Sequence, residues 1–357
     1  MKIGIIGLPQ TGKKTLFELL TRHKPTEAEA ASGKPIKGVA EMLDPRFDAL
    51  VDSYKPKKNV RARIDIELLP KIEKDTIQKG DIFKDINLLD AICHVVRVFK
   101  DDSVYHVDGS VDPKRDIDFV NAEFILHDLI FIEKRMERLE RTIKQTAEEA
   151  AMKERELLLK LKAHLDNSLP LRTLELSSDD KKFLASYPFI TRKDMFIVLN
   201  VSEGDLKDTK LQGQIKKELG PLKLDAMQIS AKVEDEIMAL ESMEERREFM
   251  QSVGIEESAI NVLARLCIKV LNLISFFTVG ADEVRQWNIH RGSTAPEAAG
   301  AIHTDLQRGF IRAEVVKYSD LVSLGSEEKV KEAGKFHLKG KDYIVEDGDI
   351  ITIRFNV

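Results

Sequence analysis

Residues 7–15 read GLPQTGKKT, preceded by the short apolar run Lys2–Ile6 and followed by Leu16, Leu19 and Leu20 at helical spacing. A strand, a glycine loop and a helix in that order form the context in which backbone N–H groups approach phosphate oxygens. The glycines remove side-chain bulk, the helix adds its positive N-terminal end, and Lys13 adds a fixed charge. The chemistry this points to is binding of a phosphate ester. The residue after the lysine, where a hydroxyl would ligand Mg²⁺, is Lys14. An ammonium cannot coordinate a cation and repels one, although it can neutralise phosphate charge on its own. Thr15 comes next, but one step along a helix turns a side chain by about a quarter turn.

No second catalytic constellation competes with this loop. His94 and His106 lie inside fold segments, His290 and His303 border the C-terminal region, and no spacing joins any of them to a nucleophile. Cys93 and Cys267 sit in apolar runs without the spacing of a zinc site or a redox dithiol, which points to core packing in a reducing compartment.

A phosphate loop must be held by a sheet, and the chain supplies candidate strands. Besides Lys2–Ile6 they are Arg61–Leu69, Ala91–Phe99, Met195–Asn200 and Ala226–Ser230. Separated by helical stretches, they predict an α/β fold with helices on both faces of a parallel sheet. From Asn121 to Leu184 the texture changes. This run has no Gly, and no Pro before Pro170, and Leu126, Leu129, Ile132, Met136, Leu139 and Ile143 recur at steps of three and four. One long helix is expected, broken at Asp166–Pro170, with a second short helix at Asp179–Tyr187 folding back as a hairpin. Glu234–Phe277 reads as helical again. Beyond Val279 the strands Phe310–Val316, Tyr343–Val345 and Ile350–Val357, with a short helix in Ala295–Asp305, predict a small mixed module.

The 357 residues allow two or three domains, and 43% hydrophobic content supplies their cores. A net charge of −5 excludes a uniformly basic nucleic-acid wrapper but leaves room for a local basic face. The first apolar stretch is interrupted by Pro9, Lys13 and Lys14, unlike a signal peptide, and no segment has the length and purity of a membrane span. A cytoplasmic protein is expected.

The loop and its flanks, GLPQTGKKTLF (Gly7–Phe17), resemble the Obg-like ATPase family, called YchF in bacteria. Further stretches carry the resemblance along nearly the whole chain. They are DPRFDAL (Asp44–Leu50), LLDAICHVVRVF (Leu88–Phe99), HVDGSVDPKRDIDFVNAE (His106–Glu123), NVSE (Asn200–Glu203), SAKVEDEI (Ser230–Ile237) and STAPEAAGAIHTDLQRGFIRAEVV (Ser293–Val316). The resemblance implies a phosphate-loop NTPase domain at 1–120 and 186–276, an α-helical coiled-coil hairpin inserted at 121–185, and a β-grasp-like TGS domain at 277–357. It implies nucleotide contacts from Gly7, Gln10, Thr11, Gly12, Lys13, Lys14 and Thr15, and base recognition by Asn200 and Glu203 with Ser230, Ala231 and Lys232. NVSE stands for the family's ATP-preferring variant of the guanine loop, so ATP is the expected ligand, with GTP second.

Departures gather where phosphoryl transfer is performed. The family's DxxG segment corresponds to Asp65-Ile66-Glu67-Leu68, with Leu68 in place of the switch glycine; Asp65, and Ser32 in the first switch, are the residues left for Mg²⁺. Leu69 matches the hydrophobic residue that replaces a catalytic glutamine throughout the family, and no catalytic residue is assigned. Two functions stay open. One is a ribosome-associated ATPase with weak or impaired hydrolysis. The other is a scaffold on a degenerate NTPase fold that contacts ribosome or ribosomal RNA through the hairpin and the C-terminal module, where Arg308, Arg312, Lys317, Lys329, Lys331, Lys335, Lys339 and Lys341 concentrate positive charge. Neither reading involves DNA or a membrane, and both suit a monomer.

Overall fold

Ile3, Ile5 and Ile6 are each almost fully buried, which places their strand, β1 (Lys2–Ile6), in the middle of a sheet rather than at its edge. A computed structural model describes residues 1–73, 80–146 and 149–356. In it β1 pairs in parallel with β4 (Arg63–Leu68) on one side and β5 (Ala91–Arg97) on the other. With β2 (Ile36–Glu41), β6 (Asp194–Asn200) and β7 (Asp225–Ile229) the order is β2-β4-β1-β5-β6-β7. β5 is buried along its whole length, and all of β6 but Asp194, so their near-continuous apolar sequences reflect two covered faces. The expected α/β class with a parallel sheet is found.

The chain divides into two compact units, Met1–Gly38 with Asp65–Ile260, and Val39–Ile64 with Asn261–Val357. The second holds a sheet of order β11-β10-β12-β8-β9-β3, formed by β3 (Lys58–Val60), β8 (Leu273–Thr278), β9 (Glu283–His290), β10 (Phe310–Lys317), β11 (His337–Lys339) and β12 (Asp349–Phe355). The helix Pro45–Tyr54 joins this unit, its Phe47 and Leu50 packed in a core with Phe277, Val316, Leu321 and Ile350. Arg46 ties it further by ion pairs to Asp44 and Asp347.

Three expectations are corrected. The helical insertion is two helices, Pro113–Thr146 and Glu149–Asp166, packed on each other through Ile132, Leu139, Leu158, Leu161 and Leu165. Arg135 seals the pair by donating to Glu154 from Nη2 at 2.8 Å, and Tyr187 donates to the same carboxylate. A period near 3.6 is the same for one helix and for two facing each other, so the run hides the reversal. The run ending at Phe277 is not helical throughout. Asn272 adopts φ +50°, ends the helix Ala259–Val270, and releases Leu273–Thr278 as β8. Tyr343–Val345 is no strand and contributes one isolated bridge, Ile344 to Thr294.

Lys317 also changes meaning. Its ammonium donates to Asp349 at 2.7 Å and to the Tyr343 hydroxyl at 2.9 Å, and lies 3.1 Å from Glu346. Burial opposes its charge, but these bonds outweigh burial and hold its pKa above the ordinary lysine value. It is a half-buried structural cation. Arg308 and Arg312 remain exposed. No helix among the described residues is long and apolar enough to cross a membrane.

Candidate nucleotide site

Chain direction fixes the loop. β1 ends at Ile6, the helix α1 (Lys13–Thr21) begins seven residues later, and Gly7–Gly12 closes the gap. Gly7 must lack a side chain, because a Cβ there would lie 2.5 Å from the Val95 carbonyl oxygen. Gln10 at φ +61° and Gly12 at φ +89° turn the backbone. Thr11 is buried and its hydroxyl donates to the Leu8 carbonyl at 3.2 Å.

Lys13 is 9% exposed and curls back over the loop, its Nζ 2.8 Å from the Gly7 carbonyl oxygen and 3.3 Å from that of Leu8. Burial, and then the charge of Lys71, push its pKa down to about 8, with Glu73 partly opposing them. The Ile72 N–H donates to the Gly7 carbonyl at 3.4 Å, so the stretch after β4 is what brings Lys71 near the loop. Beneath lies His94, in register with Ile6 and 1% exposed. Neither of its ring nitrogens has a hydrogen-bond partner among the described residues. Burial, with a smaller contribution from the charge of Lys13, lowers its pKa to about 3, so it is neutral.

The other side of the loop is held from β6 and β7. Asn200 ends β6, is buried, and its amide Nδ2 donates to the Thr11 carbonyl at 3.0 Å. Its Oδ1 accepts the Ala231 N–H, also at 3.0 Å. Ser230 caps the helix Ala231–Ala239 through the Val233 N–H. One side chain therefore staples the phosphate loop to the SAK turn. Beside it Arg97, 2% exposed, donates only to carbonyls, those of Phe99, Asp101, Val104 and Tyr105, and wraps the chain after β5 around a guanidinium. The loop that carries Gly7, Gln10, Thr11 and Gly12 into Lys13, Lys14 and Thr15 of α1 is thus tied at Thr11 to Asn200, and through it to Ala231 next to Ser230. Glu203, in the short 3₁₀ turn Glu203–Asp205, and Lys232 are exposed at the rim.

The metal candidates are not brought to this assembly. The β1–β4 register sets Asp65 opposite Lys2 and Leu68 opposite Ile5, so the whole Asp65–Leu68 quartet lies within the strand. Asp65 is exposed at the far end from the loop, while the stretch leaving the sheet beside the loop is Leu69-Pro70. Ser32 ends the helix Glu27–Ala31, donates to the Glu29 carbonyl at 2.7 Å and accepts from the Lys34 N–H, spending its hydroxyl within its own turn. Residues 74–79, which follow β4 and the stretch with Lys71, lie outside the described residues. Phosphate-loop folds ordinarily hold Mg²⁺ with a hydroxyl after the lysine and an acid at the neighbouring strand end. Here those places hold Lys14 and Leu68-Leu69, and no group of three metal-ligating side chains occurs among the described residues. The donor set does not fit the dication.

The chain is similar over its full length to known proteins. It is 39% identical to the Ribosome-binding ATPase YchF of Bacillus subtilis (strain 168), with 99% of each chain covered. The Ribosome-binding ATPase YchF of Haemophilus influenzae is 38% identical, over 100% of this chain and 99% of that one. The chain belongs to the YchF family. Residues 273–356 match the YchF GTPase C-terminal family model, described as a protein of unknown function (DUF933). The solved structure of the Schizosaccharomyces pombe YchF GTPase superposes with a TM-score of 0.85 at 30% identity, covering 99% of this chain and 97% of that one. Membership of the YchF family confirms the phosphate-loop fold read from Gly7–Phe17. What sequence reasoning missed at the site is Lys71 and the orphaned His94, since a lysine in a polar stretch and a histidine in a strand carry no local signal.

Proposed function

We propose that this YchF-family chain is a ribosome-associated protein that binds ATP in preference to GTP at the Gly7–Thr15 loop and hydrolyses it weakly or not at all. The observation that carries the nucleotide part is Asn200, bonded at once to Thr11 and to Ala231. That staple supports a reading in which a phosphate cradle and a base-binding turn are held together, as a ligand with both parts requires. The ribosome part rests on the relatives named for that activity. Weak hydrolysis follows from Lys14 and from a strand end that offers only leucines. Ground-state binding and transition-state stabilisation are separate contributions, so the first can persist without the second.

In this reading Lys13 must leave the Gly7 and Leu8 carbonyls to meet phosphate. The loop N–H groups and the start of α1 receive the phosphate oxygens, while Glu203 and Lys232 at the rim close on the base. Competitive equilibrium binding of ATP against GTP, followed by single-turnover hydrolysis on the same sample, tests it. Tighter ATP binding with a slow or absent chemical step is expected. Equal or reversed affinities would remove the base assignment, and rapid turnover would remove the weak-hydrolase reading. If no nucleotide binds while ribosome association persists, the scaffold function replaces it.

A further inference from the structure

We propose that the loop takes its nucleotide as the metal-free phosphate anion, with the ammonium of Lys14 doing the electrostatic work that a divalent cation does in related folds. The inference rests on the nucleotide reading above and goes beyond it to name the ionic form of the ligand. Three observations carry it. Lys14 stands at the second residue of α1, directly after the cradle lysine. Its side chain is 53% exposed and its one ion pair, to Glu18 one turn on, is 3.9 Å long. An exposed pair of that kind contributes little, so Lys14 is available to an incoming anion.

The second observation is the β4 register. Asp65 faces Lys2, and the strand runs on through Leu68 before the chain turns past the loop. Among the described residues no carboxylate stands at the strand end from which a cation would be held. The third is Lys71, which lies close enough to Lys13 to lower its pKa. A second ammonium acting on Lys13, with Lys14 next to it at the start of α1, disfavours a dication and favours a highly charged anion. Glu73, also near Lys13 and exposed, acts against this field, as does Glu18 beside Lys14.

The ligand class is therefore a nucleoside di- or triphosphate free of metal. Magnesium would lower the anion's charge and meet Lys14 head-on. Removing Lys14 reverses the preference: serine restores an oxygen donor and removes the repulsion, whereas arginine keeps the charge.

The test is calorimetric titration of the full chain with ATP and with ADP, in excess Mg²⁺ and in excess EDTA, for the parent, Lys14→Ser, Lys14→Arg and Glu73→Gln. Thermal unfolding of each variant confirms that it is folded. The parent is expected to bind at least as tightly in EDTA as in Mg²⁺. Lys14→Ser is expected to lose about tenfold of its metal-free affinity, the loss of roughly one charge-assisted contact, and to bind better when Mg²⁺ is added. Lys14→Arg should behave like the parent, and Glu73→Gln should not lose affinity in either condition. A parent that binds more than about threefold tighter with Mg²⁺, or a Lys14→Ser protein with unchanged metal-free affinity, overturns the proposal while leaving the nucleotide reading intact. Loss of a Mg²⁺ enhancement in Glu73→Gln overturns it too and names the metal's ligand. Absence of binding by either nucleotide in both conditions overturns the nucleotide reading and this proposal together.

Discussion

A β-carbon on Gly12 would sit 2.2 Å from the side-chain nitrogen of Asn200. The residue that ends β6 thereby dictates which residue the phosphate loop can carry, and the two form one mechanical object. Gly12→Ala is strained twice over, by the clash and by φ +89°. It is expected to lower unfolding free energy by about 1–3 kcal/mol and to abolish nucleotide binding. Asn200→Asp should cost a similar amount, because a carboxylate oxygen would face the Thr11 carbonyl where the amide now donates. Denaturant unfolding and calorimetry on both variants check this, and a stable, binding-competent Gly12→Ala protein would show the loop to be looser than described.

Nucleotide affinity should fall as pH rises past about 8. In the free protein Lys13 loses its proton there, mainly through burial, whereas a phosphate-bound Lys13 must be charged. Each complex formed above that pH takes up about one proton, and affinity drops by up to about tenfold per pH unit. The unliganded protein shows the opposite sign. Its folded pKa lies below the unfolded value, so between about pH 8 and 10.5 the unfolded chain holds the extra proton and stability rises with pH. Calorimetry in buffers of different ionisation enthalpy measures the uptake directly, and a flat profile would mean that Lys13 does not meet the ligand.

His94 makes an acid prediction. Its folded pKa of about 3 is far below the ordinary histidine value of 6.5. The stability it leaves intact above 6.5 is therefore lost progressively as pH falls from 6.5 towards 3, because only the unfolded chain takes the proton there. His94→Leu should flatten that decline. By removing two ring nitrogens that have no partner among the described residues, it should also raise stability at neutral pH by about 1–3 kcal/mol. Urea melts across that pH range decide the matter, and a destabilised variant would indicate that the imidazole has a partner in solution.

Ribosome association should separate the C-terminal cations into two kinds. Arg308→Glu with Arg312→Glu changes exposed positions and should alter stability by no more than about 0.5 kcal/mol. It should weaken co-sedimentation with ribosomes at low salt, where phosphate contacts count most. Lys317→Ala should instead cost about 2–3 kcal/mol of stability, since Asp349 is 0% exposed and loses its ammonium partner. If the arginine pair pellets like the parent at every salt concentration, that face is not the contact.

Much of the fold was legible in local pattern. β1 coincides with Lys2–Ile6, and β5 and β6 fall within a residue or two of their expected ends, because strands covered on both faces leave unbroken apolar runs. Lys13 was legible because a phosphate loop is a contiguous motif. The place of Asp65 was not, since alternation along β4 says which face a residue takes but nothing about which residue reaches the loop. β8 was mistaken for helix because LNLISFF is apolar at both periods, and the deciding feature was a single left-handed asparagine, Asn272. The pairing of β3 with β9, more than two hundred residues apart, has no local trace at all.

That last pairing sets an order of events during synthesis. Residues 39–64 leave the ribosome early, yet the strand and helix they form are walls of a unit whose remaining parts begin at Asn261. Phe47 and Leu50 must stay uncovered while some two hundred residues are made, about ten to forty seconds at ordinary elongation rates. The nucleotide-binding unit can close long before its neighbour, and the first folded species to emerge carries an apolar loop awaiting a partner from its own tail. A nascent chain stalled before β8 is therefore the form of this protein most exposed to aggregation and to chaperone capture.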